Sequence, residues 1–137
     1  MKSLFRALSI FTILILVTNC STGTDSNEDP IAGDWNLKTI TGGFGGVDNS
    51  FQNGEVLWTF NVDDSTLTVE VNIISMVPTE RYYGLQAGTY SYELIEENEQ
   101  TILHADGSRV GTLRFSENDL LIDEGIAVDG FLYTFTD

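Results

Sequence analysis

Between residues 55 and 74 the chain alternates apolar and polar side chains almost without a break, and that period of two constrains the fold more than any other feature. In 55–62 (EVLWTFNV), Val56, Trp58, Phe60 and Val62 fall on one face, with Glu55, Thr59 and Asn61 on the other. In 66–74 (TLTVEVNII), Leu67, Val69, Val71 and Ile73 oppose Thr68, Glu70 and Asn72. Alternation over this length marks a strand with one face buried, and β-branched and aromatic residues suit its pleated surface. Asp63-Asp64-Ser65 joins the two runs as a short turn. Because a slip of one residue would turn every side chain to the wrong face, the pair reads as an antiparallel hairpin with both apolar faces on one side.

The pattern extends in both directions. Residues 34–40 open it with Trp35 and Leu37 on one face, and strands resume at 88–95 (Tyr90, Tyr92, Leu94), 100–104, 108–116, 118–123 and 128–136. Turn residues separate them: Glu97-Asn98-Glu99, Asp106-Gly107, Asn118-Asp119 and Asp129-Gly130. Only 41–54 and 75–87 are long connections, and no window of 11 or more residues beyond Pro30 has helical periodicity. Short hairpins keep sequence neighbours adjacent in space, and closure removes exposed strand edges. The expected fold is all-β, a single eight-stranded antiparallel up-and-down barrel, with an open sandwich as its rival. A barrel of about eight strands either holds a small ligand or is filled by its own side chains.

The segment before this domain is of a different kind. Lys2 and Arg6 precede an uncharged, mostly apolar stretch, Ala7 to Val17, of 11 residues. A spanning helix needs about 20, so residues 1–19 read as a cleaved secretory signal peptide. Cys20 is the only cysteine, which rules out an intramolecular disulfide. Val17-Thr18-Asn19-Cys20 resembles the bacterial lipoprotein cleavage motif in the relaxed form typical of Bacteroidota, with Val17 and Asn19 where the strict form prefers Leu and a small residue. The resemblance implies lipidation (palmitate among the acyl chains) at Cys20, and two or more chains give stable anchoring. Residues 20–30 then form a lipidated acidic tether, and the expected location is the outer membrane or cell envelope, facing the periplasm or the surface.

Removing Lys2 and Arg6 takes the formal charge from −15 to −17, with four basic residues left against 21 acidic. Nucleic-acid binding needs a basic footprint and is excluded. Adsorption of the domain to an anionic membrane is disfavoured too, so the membrane is reached through the lipid at Cys20. The charge favours solubility and suits a basic protein partner.

Gly33-Asp34-Trp35 stands at the start of the first strand. With the strands that follow, this G-x-W makes residues 31–137 resemble the lipocalin-like domains of such lipoproteins. The resemblance implies that Trp35 closes one end of the barrel in a structural role and that the first long loop covers the mouth. The family's late Arg over this Trp has no counterpart, since Arg109 and Arg114 come too early.

Candidate ligand contacts follow from the strand faces and the two long loops. Trp58, Phe60, Val69, Tyr90, Tyr92 and Tyr133 belong to the set expected to line the interior, together with Val56, Leu67, Val71 and Phe131. Loop 41–54 (TGGFGGVDNSFQNG) lacks a Lys-Ser/Thr after its glycines and is no phosphate loop. It is either a flexible connection or a lid carrying Phe44 and Phe51. Loop 75–87 gathers Met76, Arg81, Tyr82, Tyr83 and Leu85, residue types common in recognition surfaces.

Catalysis finds little support. His104 is the only imidazole and no Ser lies in a G-x-S-x-G setting. Asn61-Val62-Asp63-Asp64-Ser65 lacks the later Gly and Glu of a calcium loop. No cofactor, metal site or enzymatic activity is expected. The leading expectation is a lipid-anchored barrel binding a small apolar or amphiphilic molecule. The alternative is a ligand-free interaction module or inhibitor, acting through its loops on an envelope or exogenous protein. Replacing Cys20 by Ser should move the protein from the membrane pellet to the soluble fraction on ultracentrifugation; a pelleted variant would refute the anchor.

Overall fold

The computed structural model describes residues 29–74 and 82–137; residues 1–19, expected to be a signal peptide, Cys20 and the 75–81 part of the second long link, with Met76 and Arg81, lie outside them. Among the described residues nine strands run in order: β1 (Gly33–Gly42), β2 (Val47–Ser50), β3 (Val56–Asn61), β4 (Thr66–Val71), β5 (Gly88–Glu97), β6 (Gln100–Ala105), β7 (Ser108–Ser116), β8 (Asp119–Asp123) and β9 (Phe131–Thr136). β1 and β3 to β9 pair antiparallel in sequence order, and β9 returns to β1, closing an eight-stranded up-and-down barrel. The sandwich is thereby excluded.

Closure depends on β1, which serves three partners. Gly33 to Asn36 pair with β3, Thr39 to Gly42 pair on the same side with β2, and the opposite edge bonds to β9. The ninth strand lies within 41–54, which the sequence reading left wholly as loop. Its composition is glycine-rich and polar, so strand propensity gives no signal there; the free β1 edge beyond Asn36 supplies the template. A register shift between Leu37 and Thr39 on the β9 side breaks the alternation and brings Ile40 fully inside beside Trp35 and Leu37.

Two other boundaries differ from expectation. Val62 falls in the β3–β4 turn and is 38% exposed. Asn61 causes this: its Oδ1 accepts from the Asp63 and Asp64 amides at 3.1 and 3.3 Å, turning the chain one residue early. The last strand begins at Phe131 rather than 128, because Ile126–Val128 form a 3-10 turn. Asp123 Oδ1 caps that turn by accepting from the Gly125 and Ile126 amides, both at 2.8 Å. At the β5–β6 and β6–β7 hairpins both central residues have positive φ (Asn98 and Glu99; Asp106 and Gly107), as type I′ turns require.

The interior is packed. Trp58 and Phe135 rings lie 4.9 Å apart, Trp58 and Phe60 6.4 Å, and Phe60 and Tyr92 5.2 Å edge to face. Leu37, Ile40, Leu67, Val69, Leu103, Leu120 and Ile122 complete one continuous core. Where Asp29 leads in, the Trp35 indole N–H donates to the Ile31 carbonyl at 2.9 Å and its ring tilts against Phe115 at 6.0 Å. Gly33, the glycine of G-x-W, has φ +107°, a conformation that strains any side-chain-bearing residue. The strand alternation puts the β1–β2, β6–β7 and β8–β9 turns and the link into β5 at the other end, hereafter the mouth.

A Leu67→Ala variant should lose about 2–5 kcal/mol of stability in urea unfolding, since a fully buried branched side chain leaves a cavity. Phe44→Ala, at a 94% exposed position, should stay within about 0.5 kcal/mol of the parent.

Candidate functional site

The described part of the β4–β5 link folds inward over the mouth. Tyr82 is buried, and its hydroxyl accepts from the Trp58 indole N–H at 3.2 Å. Its ring meets Phe51 edge to face at 6.4 Å. Gly84 permits the fold: a Cβ there would lie 2.6 Å from the Tyr82 hydroxyl. Tyr83 turns the other way and stacks on Phe131 at 4.8 Å, with 11° between the ring planes. Tyr90 ties the link to β5 by donating from its hydroxyl to the Gln86 carbonyl at 2.8 Å.

Beside this cover a cavity of about 240 Å³ opens into the mouth. Trp58, Leu85 and Val110 give it apolar walls, and Tyr83, Tyr133, Ser108, Arg109 and Glu124 bring polar groups. The Tyr133 hydroxyl donates to Glu124 Oε2 at 3.1 Å and faces the Tyr83 carbonyl at 3.4 Å. Arg109 lies on the β7 wall, its Nη2 donating to Thr112 Oγ1 at 3.2 Å. Burial pushes the Tyr82 and Tyr133 phenols well above the usual tyrosine range, and for Tyr133 the neighbouring Glu124 charge adds to the rise. Both therefore stay neutral hydroxyls throughout the physiological range.

The expected contact residues are divided by this arrangement. Trp58 and Tyr133 line the cavity. Tyr82 and Phe51 pack beneath the cover. Phe60, Val69 and Tyr92 sit within the core, where they fill the barrel. Phe44 projects from the β1–β2 turn at 94% exposure, away from the cavity lining. Gly33 and Trp35 lie at the opposite end.

Glu124, Ser108, Arg109 and Val110 were not foreseen as site residues. For Glu124 the signal is partial: Leu120 and Ile122 are fully buried and the period of two continues to 124, but β8 ends at Asp123 and Glu124 itself is exposed at the rim. Val110 is turned to the cavity by a register shift opposite Leu103 and His104, which no period-two reading contains. Among the described residues, no group of three or more His, Cys, Asp or Glu comes together to hold a metal ion.

No family model matches the chain, and neither the curated proteins nor the solved structures contain a match to it.

Stability should respond to alkali through the two buried phenols. The unfolded chain ionises them near their ordinary value of 10.0, whereas the folded chain keeps them protonated. Their contribution is complete below about pH 10 and is lost above it, as the unfolded state sheds protons that the folded state retains. Urea midpoints between roughly pH 8 and pH 11 should be level and then fall, and a Tyr82→Phe/Tyr133→Phe double variant should fall less steeply.

Proposed function

We propose that this chain is a lipid-anchored envelope lipoprotein, lipocalin-like in its barrel, that binds a small amphiphilic molecule at the mouth. The carrying observation is the cavity of about 240 Å³ floored by Trp58 and rimmed by Glu124, Arg109 and Tyr133. Pockets for drug-sized ligands span about 300–1,000 Å³, so the space suits a fragment or headgroup and not a whole lipid. The filled interior leaves no room for a long apolar chain: Trp58, Phe60 and Phe135 occupy the volume that an open barrel would offer it. The polar groups that line the cavity among the described residues suit binding: the Glu124 carboxylate accepts from the Tyr133 hydroxyl and retains further accepting capacity.

Anchoring rests on the relaxed lipobox at Cys20 and the signal-like residues 1–19. A second reading, a docking module for a basic protein, draws on Phe44 and Val128, exposed at 94% and 81% on mouth turns, and on the chain's charge of −15. Native mass spectrometry of the protein isolated from its own envelope decides between them. The binding reading expects a retained small molecule that Trp58→Ala or Tyr133→Ala abolishes. A bare chain that instead carries a basic protein would overturn it.

A further inference from the structure

We infer that the mouth cavity selects an ammonium-bearing group, a primary amine or a quaternary ammonium headgroup. This rests on the cavity being the binding site proposed above.

Three aromatic side chains, Trp58, Tyr83 and Tyr133, line the same small space as the Glu124 carboxylate. Ring faces carry negative quadrupole density and attract cations, most strongly for indole. A carboxylate on the same wall acts in the same direction. Backbone pairing fixes it there: the Glu124 amide donates to the Phe131 carbonyl at 2.9 Å, and Ile122 pairs with Tyr133 on the neighbouring strand. The Tyr133 hydroxyl occupies only part of the carboxylate's accepting capacity, since an ionised carboxylate offers about four lone-pair sites. A formal charge of −15 on the chain draws cations towards it.

Among the described residues, Arg109 is the one cation lining the cavity. It belongs to the β7 wall, and its guanidinium is engaged with Thr112 Oγ1. An ammonium group therefore sits on the Glu124–Tyr133 side, with the rest of the ligand towards Ser108 and Arg109. A ligand carrying a carboxylate alone would meet the reverse arrangement, with Glu124 repelling it.

Calorimetric titration of the full chain with three probes of nearly equal shape tests this: choline, its neutral carbon isostere 3,3-dimethylbutanol, and 3,3-dimethylbutanoate. Choline should bind about tenfold more tightly than the neutral isostere, and butanoate most weakly. Glu124→Gln, verified as folded by its thermal unfolding, should bring the choline-to-isostere ratio close to unity, and Arg109→Gln should raise it. Equal binding of choline and the neutral isostere overturns the ammonium assignment while leaving the cavity as the binding site. Tighter binding of butanoate overturns it in favour of Arg109. Binding by none of the three overturns it too, and the native mass spectra then show separately whether the cavity holds any ligand.

Discussion

Closure of the sheet through β1 is the constraint on which everything else rests. A curled sheet of eight strands with two free edges would expose unpaired backbone groups and split its core. Here β9 bonds to one edge of β1 while β3 and β2 share the other. The division between two short partners matters. It ends β1–β3 pairing at Asn36, which lets the chain turn through 51–55 and drop Phe51 inward beneath Tyr82. The register shift at Leu37–Thr39 then re-aims Ile40 into the core. These two irregularities place Phe51 against Tyr82 and Ile40 in the core.

A barrel of about eight strands is either filled by its own side chains or left open for a small molecule. The aromatic contacts along the axis, Tyr92 to Phe60 to Trp58 to Phe135, commit it to packing over most of its length. What remains open is defined by the link into β5. The Trp58–Tyr82 hydrogen bond joins core and cover, and a buried indole N–H left without its partner would cost about 1–3 kcal/mol. Through this bond Tyr82 is tied into the folded core.

Much of this was legible in the sequence because strands with one buried face write their own periodicity. Val56, Trp58, Phe60, Leu67 and Val69 alternate cleanly and are buried as that alternation demands. Legibility failed where structure is set by a partner rather than by local pattern. β2 has a composition of turn residues and exists because β1 offers it an edge. Ile40 and Val110 are placed by register shifts, which depend on the neighbouring strand. The candidate site was half legible: Trp58 and Tyr133 follow from alternation, and Tyr82, Tyr83 and Leu85 from the residue types of the link. Glu124 shares the parity of the buried Leu120 and Ile122 but lies just past the end of β8 and is exposed, so local pattern does not separate it from the other acidic residues. No pattern along the chain could show that Phe60, Val69 and Tyr92 would consume the interior, because filling is a property of summed volumes.

The chain comes into the barrel at Asp29–Ile31, beside Trp35, whereas the cavity opens at the far end of β1. A strand of ten residues measures about 33 Å, and the tilt of barrel strands reduces its height along the axis to about 25 Å. Whatever holds the residues ahead of Asp29 thus grips the barrel by its foot. The cavity spans the height between the two ends: its floor, Trp58, pairs with Trp35 near the foot, and Tyr133 on its wall pairs with Ile40 towards the mouth.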